Sequence, residues 1–71
     1  METNIEKIKN QLSGLAAKTT GEDKRHAAVD LNCSVVTIER YLRGLVRKEA
    51  FGLILLGYLK NKISEREKAL A

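Results

Sequence analysis

The sequence predicts an all-α fold, a small four- to five-helix domain in which two short helices are joined by a tight turn. Three observations carry that expectation. Proline is absent and glycine occurs five times, while Leu, Ile, Ala, Glu and Lys are abundant, a composition that favours helices over sheets. Apolar residues recur at spacings of three and four, as in Ile5, Ile8, Leu12 and Leu15, the mark of one helical face. Helix-starting signals stand ahead of the candidate helices, Thr3 with Glu6 in the spacing of a capping box and Thr20 followed by Asp23 as a second cap signal. With 71 residues the chain suits one domain around one core, keeping about 4 to 10 kcal/mol of stability, so a partner subunit would matter.

The first helix is expected to take Thr3 as its N-cap and to bury the stripe from Ile5 to Leu15. Gly14 costs it about 1 kcal/mol relative to Ala and marks either fraying or a close helix contact. Residues 18–21 read as the connection. The second helix should cover residues 21–31, with Glu22 and Asp23 placing negative charge at its positive end. Ala27, Ala28 and Leu31 share a face, and the short alanines let the next helix cross closely. Asn32 stands where the chain must leave the helix with positive φ, which Asn tolerates better than most residues. Cys33 is expected to be a small buried apolar residue, since a lone cysteine without ligand partners makes a poor metal or nucleophile site.

Ser34 is the expected N-cap of the third helix and Gly44 its left-handed stop. Ile38, Tyr41 and Leu42 then point inward, which turns Val36, Arg40 and Arg43 outward, flanked by Val35, Thr37 and Glu39. A valine beside two outward arginines suits a reader of the DNA major groove, where the valine packs on a thymine methyl and arginine makes paired hydrogen bonds to guanine. Glu39 either accepts from a cytosine amine or, the simpler reading, forms a salt bridge with Arg43 one turn later. Leu45 and Val46 should tuck onto the core while Arg47 and Lys48 stay at the surface.

The last helix opens at Glu49 and is apolar nearly all round. Phe51, Ile54, Leu55 and Tyr58 form one stripe, Leu53, Leu56 and Ile63 lie opposite, and Leu59 falls between. Such a helix needs cover on nearly every side, which means either a central position or a face shared with a second subunit, and a homodimer through residues 49–63 is the expected partner arrangement. Ser64 with Glu67 is a further capping-box spacing, and Leu70 is the only large apolar residue of the charged tail.

Several function classes recede on the same evidence. The longest apolar run, residues 50–59, is about half the length of roughly 20 residues needed to span a bilayer, so no membrane role is expected. A single cysteine and the lack of a leader pattern point to the cytoplasm. His26 stands among alanines with no Cys, Asp or Glu at ligand spacing, and is expected to be structural. No catalytic constellation, cofactor motif, metal site or small-molecule ligand site is evident, so the chain is not read as an enzyme.

Charge supplies a positive indication. Residues 24–48 hold six bases, Lys24, Arg25, Arg40, Arg43, Arg47 and Lys48, against the acids Asp30 and Glu39, while the remainder holds seven of each sign. The whole net charge of +4 therefore sits on this segment, the footprint of a surface that meets phosphates.

Laid out this way, residues 24–44 resemble the helix-turn-helix of the phage repressor and Cro family of DNA-binding proteins. The matching elements are Ala28, Leu31, the turn at Asn32 and Cys33, Ser34 as cap, Ile38, Tyr41, and Arg43 with Gly44 closing the helix, about a third of the chain. Asn32 stands where the family usually has Gly, and Val35 and Val36 where polar residues are common. The resemblance implies sequence-specific binding of double-stranded DNA by a small repressor-like transcription regulator. It places Val35, Val36, Thr37 and Arg40 at the bases, and Lys24, Arg25, Ser34, Arg43, Arg47 and Lys48 at the phosphates. Two other readings remain: a protein–protein interaction module using the same helical surface without DNA, and the DNA-binding piece of a multicomponent enzyme.

Overall fold

The computed structural model describes residues 4–70, the side chain of residue 70 excepted; the Thr3 cap and the Leu70 side chain lie outside that range. Four helices follow one another, α1 (Asn4–Ala16), α2 (Gly21–Asp30), α3 (Val35–Leu42) and α4 (Glu49–Leu70), with no strand among the described residues. The all-α expectation holds. α1 lies along α4, α2 packs on α3, and the two pairs join where α1 meets α3 and α2 meets α4. Leu12, Ile38, Leu55 and Leu59 are fully buried where these helices converge, so each of α1, α3 and α4 drives its own apolar stripe into one core.

Both expected turns form, and by the same device. After α2, Asn32 has φ 55°, its N–H bonds the Val29 carbonyl at 3.2 Å, and the Cys33 N–H reaches Ala28 at 2.9 Å. After α3, Gly44 has φ 95°, its N–H bonds Tyr41 at 3.1 Å, and the Leu45 N–H reaches Arg40 at 2.9 Å. Each is a Schellman arrangement that satisfies two orphan carbonyls and turns the chain sharply. The cap expected at Thr20 forms as a full capping box, the Asp23 N–H donating to Thr20 Oγ1 at 3.1 Å and the Thr20 N–H to Asp23 Oδ2 at 3.0 Å.

α4 departs from expectation in three ways. The two anticipated stripes merge into one broad buried face, Leu55, Leu56, Leu59 and Ile63, because Leu59 lies at its centre and joins them. Ile54, assigned to the inward stripe, is 55% exposed, and Leu53 beside it is 54% exposed. Ser64 starts nothing: the helix runs through it to residue 70. A capping box forms only where the chain enters from an extended conformation, and here Ile63 is buried while Arg66 donates to the Asp23 carboxylate and to the Lys18 carbonyl. Those contacts hold the far end of α4 in register against the start of α2.

Three smaller expectations are also corrected. Leu45 does not tuck inward; it is 60% exposed, since the Schellman turn swings it out as Val46 packs on the core. Cys33 is half-buried rather than enclosed. Gly14 has open space around it within an unbroken helix, marking neither fraying nor a close contact.

Candidate nucleic-acid interface

α3 is the element the domain displays. Its start is set by Ser34, whose Oγ accepts from the Thr37 N–H at 3.2 Å and lies 3.0 Å from the Thr37 hydroxyl. Its inner face buries Ile38, Tyr41 and Leu42. Helical geometry then turns Val36 and Arg40 to solvent, Val36 being 54% exposed and Arg40 exposed as well. Val36 and Arg40, one turn apart, thus share an exposed face of α3, and Arg40 makes no ion pair among the described residues.

The predicted contact residues divide by environment. Arg25, Ser34, Arg43, Arg47 and Lys48 are exposed, as are Val36 and Arg40. Thr37 is half-buried beside them, and Val35 is half-buried with its side chain packed on the core. Lys24 is half-buried between α2 and α3, where its Nζ lies 3.9 Å from Glu39 Oε1. That pair corrects the expected Glu39 to Arg43 bridge. Packing α2 on α3 brings Lys24 across to Glu39, which leaves Arg43 at the surface without an ion-pair partner among the described residues.

The segment after α3 is held by a bond that the sequence does not announce. Tyr41, buried on α3, accepts the Lys48 N–H on its hydroxyl at 3.0 Å, and its ring meets Phe51 edge-on at 4.9 Å between centroids. Loop residues 45–48 are thereby fixed beside α3, which places Arg47 and Lys48 next to Arg40. A further cation joins them. Lys9 of α1 lines one cleft with Arg40, Arg47 and Lys48, and a Cβ added to Gly44 would meet its Cε at 3.6 Å. Lys9 was invisible as a site residue because nothing in α1's own pattern distinguishes it from any solvated lysine.

The remaining titratable groups support the frame. Burial by itself raises the Asp23 pKa, but the Thr20 backbone N–H and the Arg66 guanidinium outweigh it, leaving the carboxyl below its usual value. Burial and the Asp30 carboxylate, which accepts from the Tyr58 hydroxyl, push Tyr58 up to about 12. Both contacts tie α2 to α4. His26 is exposed on α2. Among the described residues no group of His, Cys, Asp and Glu is arranged to hold a metal, and no helix is long and apolar enough to cross a membrane. Comparisons of the chain with protein families, with curated proteins and with solved structures return no match.

Proposed function

We propose that this protein binds double-stranded DNA sequence-specifically, laying α3 in the major groove, and acts as a small repressor-like transcription regulator in the cytoplasm rather than as an enzyme. The observation that carries the reading is the outer face of α3, where exposed Val36 adjoins Arg40 on the segment that bears the whole net charge of +4. Val36 and Arg40 read bases, with half-buried Thr37 and Val35 at the edge of the contact. Arg25, Ser34, Arg43, Arg47 and Lys48 hold phosphates and set the register. Lys24, spent on Glu39, acts mainly as a strut between the two helices of the motif.

A homodimer completes this reading. One chain carries one such helix, and a second major groove on the same side of the duplex lies about 34 Å away, comparable to the longest dimension of the molecule, 38 Å. The outward side of α4 fits a second copy: Leu53 and Ile54 stand on either side of the small Ala50 and Gly57, a saddle into which a partner helix can settle.

Fluorescence-anisotropy titration with a duplex selected from a random pool tests the proposal. Binding should weaken steeply with salt, by roughly one power of salt concentration for each phosphate neutralised. Arg40→Ala with Arg43→Ala should cost at least about 2 kcal/mol of affinity. Absence of duplex binding at low salt, or binding indifferent to that double change, would overturn it. Exposed Val29 and Leu45 would then favour the protein-interaction module.

A further inference from the structure

A cleft of about 790 Å³ lies between α1, α3 and the loop before α4, within the range of about 300 to 1,000 Å³ typical of small-molecule sites. Four cations line it, Lys9, Arg40, Arg47 and Lys48, and no carboxylate does. None of the four makes an ion pair among the described residues. The N–H groups of Val46 and Arg47 bond no described residue. The same cleft has an apolar wall of Leu45, Val46 and Phe51.

A duplex lying along α3 explains the cations but not the wall. Phosphates at the edge of a rigid double helix meet the outer ends of Arg40, Arg47 and Lys48, and they gain nothing from Val46 or Phe51, the half-buried part of the wall. A ligand that uses both halves carries several negative charges at one end and an apolar ring at the other. The Tyr41 to Lys48 bond holds the loop in place, so such a ligand would meet a site already formed.

We infer that this cleft binds a free nucleoside triphosphate, its phosphates among Lys9, Arg40, Arg47 and Lys48 and its base against Leu45 and Phe51. Binding stands independently of the DNA reading; only its consequence rests on it. Arg40 cannot serve both ligands at once, so an occupied cleft lowers DNA affinity, and by reciprocity bound DNA lowers nucleotide affinity.

The test uses the full chain in calorimetric and NMR titrations with each of the four common ribonucleoside triphosphates, and with inorganic tripolyphosphate as a control for charge alone. At least one nucleotide should bind about tenfold tighter than tripolyphosphate and shift the amide signals of residues 45–48. Lys9→Glu, on the exposed side of α1, should weaken that binding about tenfold with thermal unfolding unchanged. Equal binding of tripolyphosphate would overturn the inference by exposing a general polyanion surface. So would silence of residues 45–48 at millimolar nucleotide, or indifference to Lys9→Glu. Where the selected duplex binds, the nucleotide should displace it. Where no duplex binds, the titration of the free chain still decides the nucleotide site, so the two readings fail separately.

Discussion

Two residues show how single positions set this fold. Asn32 sits at φ 55°, a conformation that costs most L-residues roughly 1 to 2 kcal/mol. Asn32→Val should therefore destabilise the protein by about that amount in chemical denaturation, whereas Asn32→Gly should be neutral or better. Asp23 is held below its usual pKa by Thr20 and Arg66 against the cost of burial. The carboxyl binds its proton less readily folded than unfolded, so its stabilisation is fully present above the unfolded value of about 4 and fades as pH falls through the folded one. Asp23→Asn should cost about 1 to 2 kcal/mol at neutral pH and flatten the loss of stability on acidification. Thermal unfolding of the two proteins between pH 7 and pH 2 would show it, and parallel curves would refute the assignment.

Among the elements, α4 has two interior glycines with opposite consequences. A Cβ at Gly52 would come within 2.9 Å of Ile8 Cγ2 and 3.3 Å of Val46 Cγ1. Ile8 is a core residue with little room to yield, so Gly52→Ala should cost about 1 to 3 kcal/mol through overpacking of α1 on α4. A Cβ at Gly57 would meet nothing within 4 Å in the single chain, so Gly57→Ala should stabilise the monomer by about 0.5 to 1 kcal/mol while crowding the saddle of the proposed dimer. Melting both variants against the parent checks the pair. A destabilised Gly57→Ala would show that some partner already approaches the helix there.

For the whole molecule, the question is what covers Leu53 and Ile54. If a second copy does, Leu53→Asp should leave monomer stability within about 0.5 kcal/mol, since the residue is exposed, while halving the mass seen by sedimentation at concentrations where a micromolar dimer associates. The variant should also lose affinity for a two-half-site duplex more than for a single half-site. A parent protein that sediments as a monomer under those conditions would remove the dimer and leave α3 to read one groove alone.

Much of this was legible in the chain itself. Local rules placed the turns at Asn32 and Gly44, the caps at Thr20 and Ser34, and Val36 with Arg40 on the outside of α3, because helix period, capping and positive φ depend on neighbours a few residues away. The charge excess was a matter of counting. Nothing local could decide which of Phe51 to Ile63 would be covered, since an all-round apolar helix offers every face equally and only the arrangement of α1 and α2 selects the one centred on Leu59. The Lys24 to Glu39 pair, the Arg66 to Asp23 tie and the Tyr41 hydroxyl beneath Lys48 likewise belong to tertiary structure. So does the cleft: Lys9 is more than 30 positions from Arg47 in the chain, and only the packing of α1 beside α3 brings their charges to one opening.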